Sequence, residues 1–203
     1  MPEPTTAPTA QTSNTKQSDV DLSTVLLAGE LGRRPGREPD LAAENATYLA
    51  LAERLTDSPD TLLQALMDAA LVLCDAGTAG VSLLDTDADV FRWTVLAGRL
   101  ASHINGTTPR DFSPCGVCLD NERPELFSHP ERRFTYFAKA GVPFVEALVL
   151  PFYVDRQPAG TIWILTHEPT HHFDMEDVRI MTRLAAFTGS AYSLLRRGAS
   201  VMS

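Results

Sequence analysis

Hydrophobic positions along the chain change period twice, and the changes mark out the elements. Over "LAAENATYLALAERL", Leu41, Asn45, Tyr48, Ala52 and Leu55 recur at 4-3-4-3 spacing, the period of a helix. Ser58 as N-cap and Pro59 at the first helical position open a second helix. Its apolar face carries Leu62, Leu63, Leu66, Met67, Ala70, Leu73 and Cys74. The period then falls to two. "AGVSLLD" and "DVFRWTVLAG" read as strands flanking a turn at Asp85 to Asp89. In the second strand Phe91, Trp93, Val95 and Ala97 share one face, and Val90, Arg92, Thr94 and Leu96 the other. A segment from about Arg99 to Val145, rich in Pro, Gly, Asn and aromatics, predicts mostly loop, with a short helix from near Pro114 and a strand after it. "EALVLPFYV" and "AGTIWILTH" are two further strands joined at "DRQP". A last helix starts at Asp174, with acidic residues in its first turn, and runs to about Arg197.

Two helices, two strands, a long loop region, two strands and a helix make an α+β fold with an antiparallel sheet, since βα alternation is missing. The last helix carries two apolar bands: Met181, Leu184, Ala185, Thr188, Tyr192 and Leu195, and Ile180, Leu184, Phe187, Ala191 and Leu194. One band covers the sheet. The other either meets a partner helix, giving a homodimer, or packs within the chain.

Residues 1–39 begin with a run rich in Thr, Pro, Ser, Gln and Ala that holds few large apolar groups, and they are expected to form a disordered or loosely ordered tail, with one short helix and a turn near its end. The expected domain covers 40–198, and 199–203 form a short C-terminal tail. Composition narrows the function. The chain of 203 residues carries a net charge of −9, which disfavours nucleic acid as a partner. No apolar stretch is long enough to span a bilayer and the N-terminus lacks signal-peptide character, so no membrane partner is expected. Three cysteines without framework spacing suit a reducing, cytoplasmic compartment.

Beyond these patterns, "TPRDFSPCG", "LFSHPERRF", "AGVSLLD", "FRWTVLAG", "EALVLPFYVDRQPAGTIWI" and "HHFDMED" together resemble a GAF domain. More narrowly, the stretch from about residue 22 to 196 resembles the N-terminal GAF modules of bacterial sensor histidine kinases. The resemblance implies a six-stranded-type antiparallel sheet with the first and last helices behind it, a ligand-sized pocket in front, and dimerisation through those two helices. No phosphoacceptor region or nucleotide-binding box is present in the sequence. Any output in a two-component system therefore passes to a separate partner, such as a histidine kinase or another signalling protein, unless the chain is a fragment.

Cys115-Gly-Val-Cys118 admits several chemistries. A structural zinc needs four ligands and only one C-x-x-C occurs, so no metal site is expected. The GAF-fold enzymes that reduce free methionine sulfoxide place an essential cysteine further on, where this chain reads "TYFAKAGVPFVEALVL" without one. Bilin-binding relatives carry a Cys-His pair or an Asp-Ile-Pro signature that is missing beside "SPCGVCLDNE". Buried thiols lining or underlying a pocket are the simplest expectation. By the resemblance, the pocket would be walled by Trp93, Phe112, Phe127, Phe134, Phe137 and Trp163, with Cys115 and Cys118 and with Arg92 and His129 as polar groups; Arg133, Tyr136 and Phe144 lie in the same region. "THEPTHHFD" is expected to be an exposed loop holding His167, His171 and His172. The expected function is a non-catalytic sensory module that binds a small ligand, with no cofactor assigned. A thiol-based redox enzyme or switch using Cys115 and Cys118, and a ligand-free structural adaptor, are the alternatives.

Overall fold

A computed structural model describes residues 19–57 and 61–201. Helices α1 (Leu41–Asp57) and α2 (Leu62–Leu73) precede strands β1 (Thr78–Asp85), β2 (Val90–Gly98) and β3 (Thr107–Pro109). Helix α3 (Pro114–Asn121), strands β4 (Glu125–Ser128), β5 (Glu146–Val154) and β6 (Gln157–Thr166), and helix α4 (Met175–Val201) follow. The six strands form one antiparallel sheet in the order β3-β2-β1-β6-β5-β4. The expected α+β class and sheet are what the chain adopts. The three-residue strand β3 was not foreseen: it is too short to show a period. The expected start signal at Ser58 and Pro59 lies outside the described residues, as do 1–18 and the last two of the C-terminal tail, 202 and 203.

Each face of the sheet buries its own core. Behind it, Leu62, Leu66, Met67 and Ala70 of α2 and Met181 and Leu184 of α4 pack on Val81, Leu148, Phe152, Ile162 and Ile164. Fully burying each large aliphatic or aromatic side chain contributes about 1.5–3 kcal/mol. In front, Phe91, Trp93, Phe127, Val149, Trp163 and Leu165 meet α3 and the loops. Most of both apolar bands on α4 packs within the chain: Ile180, Met181, Leu184, Ala185, Thr188 and Ala191 are buried, Phe187, Tyr192 and Leu195 are partly so, and Leu194 is half exposed.

Three patterns differ from expectation. In β2, strict alternation breaks at a bulge, because Val81 pairs with Val95 but Ser82 pairs with Trp93. The extra residue flips the register, so Phe91, Trp93 and Leu96 face the front core while Val95 and Ala97 face the helices. On α1, Leu41, Asn45 and Ala52 are exposed; Leu51 is buried, with Tyr48 and Leu55 half-buried. Alanines and leucines lie all round this helix, so its apolar stripe is ambiguous. Buried Glu44 settles the orientation by accepting hydrogen bonds from Arg179 (2.6 Å) and Arg183 (2.8 Å) of α4. Finally, residues from Val20 onward pack on the domain, so a boundary at 40 separates residues that the fold holds together. Val25 is fully buried, Leu26 bridges to Phe127, and the Leu27 amide donates to the Leu126 carbonyl (2.8 Å).

Further on, Arg34 donates two hydrogen bonds to Glu146, at 2.7 and 2.9 Å, and one to the Phe173 carbonyl. The Phe173 amide also donates to Glu146, and His172 Nδ1 lies 3.0 Å from it. Asp174 caps α4 by accepting from the amides of Glu176 and Asp177, while the Asp177 carboxylate accepts from the Asp174 amide in return.

Burial alone raises the Glu146 carboxyl, but the Arg34 guanidinium and the Phe173 amide outweigh it and hold the group below its ordinary range. Burial is likewise outweighed at Asp174, by the amides of Arg37, Asp177 and Glu176, and Glu44 is held low chiefly by Arg179. A depressed carboxyl stabilises the fold above the ordinary value of about 4 and loses that contribution as pH falls through its folded value. Urea midpoints should therefore fall as pH is lowered from about 5 to 3, across that ordinary carboxylate range. Glu146→Gln should be less stable at neutral pH and show a shallower acid dependence; parallel profiles for the two proteins would contradict this assignment.

Candidate functional site

The front face of the sheet is built for bulk above and smallness below. Trp163 lies flat on Gly80, where an added Cβ would sit 2.4 Å from its ring, and the Trp163 indole N–H donates to the Ser82 hydroxyl (2.8 Å). Gly106 leaves room for Trp93 in the same way, at 3.0 Å. Trp93 meets Trp163 at 5.8 Å and Phe137 at 6.2 Å, and Phe137 stacks on Phe144 at 4.9 Å. Phe134 sits edge-on to Phe112, Phe127 and Phe137. Such pairs contribute roughly 0.5–1.5 kcal/mol each beyond their burial.

Between these rings lies a cavity of about 30 Å³, walled by Trp93, Phe137, Phe144, Trp163, Cys115, Thr108 and neighbouring aliphatic residues. That volume holds on the order of one water, against roughly 300–1,000 Å³ for ordinary small-molecule sites. The Thr108 hydroxyl in its wall is buried and has no hydrogen-bond partner.

Of the residues expected at the site, Trp93, Cys115, Phe137 and Trp163 line the cavity. Phe112, Cys118, Phe127 and Phe134 lie in the surrounding core. Two do not reach it. Arg92 alternates to the opposite face and pairs in the open with Asp85 at 2.8 Å. His129 takes a left-handed backbone (φ 47°), is exposed, and turns its ring to Glu131, at 3.3 Å. Arg133 also stays out: its guanidinium lies over Phe112 and Phe134, and it donates to the Val20 carbonyl. Thr108, Thr161 and Ser82, the polar groups that do face inward, are short hydroxyl residues; alternation along β1 and β6 could have pointed to Ser82 and Thr161, whereas Thr108 sits on the short β3 and carried no such signal. His167 is a further correction. It is buried, with Nε2 at 2.8 Å from the Thr78 hydroxyl and Nδ1 against the Pro143 carbonyl, because Gly77 leaves space for its ring. Among the described residues no group of three or more metal-ligand side chains converges, and no helix is long and apolar enough to cross a membrane.

Helix α3 starts where Ser113 accepts from the Gly116 amide (3.0 Å) with Pro114 at its first position. It turns both cysteines inward. Burial pushes the Cys115 thiol up, although the Thr161 and Ser82 hydroxyls beside it oppose this. Burial does the same at Cys118, which contacts the Arg123 and Val149 carbonyls at 3.3 and 3.4 Å, and at Cys74. Nucleophilic thiols need the thiolate, which these surroundings disfavour.

The family described as GAF domain matches residues 56–192. No curated protein matches the sequence. Among solved structures, the GAF domain of a phosphoenolpyruvate-protein phosphotransferase from Coxiella burnetii superposes with a TM-score of 0.69 at 12% identity, covering 80% of this chain and 99% of that one. Free methionine-R-sulfoxide reductase from Neisseria meningitidis gives 0.65 at 16% identity, covering 81% and 97%. The second GAF domain of DevS from Mycobacterium smegmatis gives 0.57 at 21%, covering 72% and 100%. Identities this low establish a shared fold and nothing finer.

Two outcomes are expected. Gly80→Ala should force Trp163 off the sheet, cost about 1–3 kcal/mol by overpacking, and red-shift tryptophan emission. Alkylation of Cys74, Cys115 and Cys118 should be slower in the native than in the urea-unfolded protein by a factor on the order of 10³ or more, set by the opening equilibrium. Rapid native labelling of Cys115 or Cys118 would instead support thiol chemistry.

Proposed function

This chain belongs to the GAF domain family, and on that premise we propose that it is a non-catalytic regulatory module of the cytoplasm that senses a small, uncharged, largely apolar ligand. The observation that carries the proposal is the cavity wall: its lining holds no charged side chain, and beside the two indoles its polar groups are a hydroxyl and a buried thiol. A charged ligand there would lose its hydration without gaining a counter-ion. Entry requires Trp93, Phe137 or Trp163 to move, so the ligand selects a second pocket shape and shifts the population by its differential affinity for it. Output runs through α1 and α4, where Leu41, Leu49 and Leu194 remain exposed for a second copy or a separate signalling partner.

One observation favours a second reading, a structural adaptor with a self-filled pocket: the free volume is only about 30 Å³. The two readings separate cleanly because Trp93 and Trp163 are the protein's two tryptophans and both line the cavity. Titration with neutral aromatic and aliphatic fragments should change tryptophan emission and raise Tm with concentration, while carboxylate and ammonium analogues do neither. If no neutral fragment moves either signal at millimolar concentration, the adaptor reading stands.

A further inference from the structure

We propose that residues 20–37 form a strap that couples the aromatic pocket to the start of α4. The proposal rests on the regulatory reading above and adds the route by which a change at the pocket reaches the helix.

The segment wraps the β4 edge of the sheet and touches both cores. Val20, Leu22, Val25 and Leu26 pack on the aromatic side, whereas Leu27 and Leu31 pack on the helix side. At the pocket end its backbone extends the sheet, with the Leu27 amide donating to Leu126 and the Ser128 amide donating to Val25 (2.7 Å). Arg133 joins the two there. It donates to the Val20 carbonyl while its guanidinium covers Phe112 and Phe134, and Phe134 packs edge-on against Phe137 of the cavity wall. A ring moving in the cavity therefore pushes on a residue that holds the strap.

At the other end the strap grips the cap of α4. The Arg37 amide donates to Asp174 (2.8 Å), and its guanidinium reaches Asp174 (3.1 Å), Asp177 (2.7 Å) and the Leu73 carbonyl (3.0 Å). These are the two carboxylates that form the reciprocal cap of the helix. Arg34 anchors the middle on buried Glu146 and on the Phe173 carbonyl just before the cap. A bidentate, desolvated pair such as Arg34–Glu146 is made or broken as a unit, the kind of switch that coupling between distant sites calls for.

The chain carries its own reporters. Cys74 lies against Asp177 and Arg37 at the α4 end, Cys115 lines the cavity, and Cys118 is sealed against the Val149 carbonyl. Labelling with N-ethylmaleimide, mapped by mass spectrometry, reads each site without any ligand. Its outcome is therefore independent of whether a ligand exists. Arg37→Ala cuts the α4 end and leaves Arg34 on Glu146; it should raise labelling of Cys74 and, on the order of tenfold, of Cys115 as well, with Cys118 unchanged and tryptophan emission shifted. Arg133→Ala, at the pocket end, should raise Cys74 labelling in return. A response confined to the cysteine beside each cut overturns the proposal. So does an equal rise at all three that tracks a lowered urea midpoint, since that is global opening. Should Arg37→Ala lack a cooperative melt, Arg37→Lys keeps the cation but not the fork to both aspartates, and carries the same comparison.

Discussion

A carboxylate buried to 2% exposure, that of Glu146, constrains more of this fold than any apolar contact does. An uncompensated charge at that depth is far costlier than the loss of a methylene. The chain meets the demand with Arg34, which comes from before α1, and with the Phe173 amide, which comes from just before α4. Both segments are thereby drawn to the first residue of β5. For Arg34 to arrive, the preceding residues must pass around the β4 edge, and doing so covers a strand whose open backbone groups would otherwise invite pairing with another chain. One ion pair thus sets the path of the N-terminal segment, closes a sheet edge and places the cap of α4. Replacing such a pair with apolar groups can be neutral for stability, but removing one partner alone leaves an uncompensated charge, which ties the two segments to this arrangement.

What could be read from the sequence follows from which signals are local. The long strands, α2 and α4 announced themselves by period, and Asp174 by capping chemistry, because those effects act within a few residues. The β2 bulge was invisible: it depends on how Val81 and Ser82 meet their partners, and an extra residue leaves no mark on composition. The orientation of α1 came from Glu44 finding Arg179 and Arg183 more than a hundred residues away. Arg34 and Arg37 drew no reading from the sequence, since their partners, too, are distant along the chain. The aromatic residues that wall the cavity were expected through the family resemblance, since by type alone they read equally as core. The site's polar groups were not: Arg92 and His129 looked suitable for a ligand, yet the pleat and a left-handed turn aim them outward, and three hydroxyl residues on the strands take the inward positions.

The front face also shows how two glycines determine what a pocket can hold. Gly80 and Gly106 surrender side-chain volume so that Trp163 and Trp93 can settle onto the backbone. The same choice consumes space that a ligand would occupy. With both indoles, Phe137 and Phe144 in place, dispersion contacts among the rings replace those that a bound molecule would make. The Thr108 hydroxyl, unpartnered in the cavity wall, is what that packing leaves unsatisfied.

Sensor and adaptor then differ by one quantity, the free energy needed to open the aromatic cluster. Apparent affinity is the intrinsic affinity reduced by the fraction of molecules already open. If opening costs about 3 kcal/mol, under one molecule in a hundred is competent, and affinity is weakened more than a hundredfold. A ligand of modest size can offset that by burying its own apolar area. If opening costs several kcal/mol more, few ligands of that size could do so, and the cluster acts as core. The strap adds to this cost, because Arg133 ties the rings to Val20 and the tie runs on to Glu146 and Asp174. A tether that makes the pocket harder to open is also what makes its opening felt at α4, so responsiveness and affinity trade against each other in the same set of contacts.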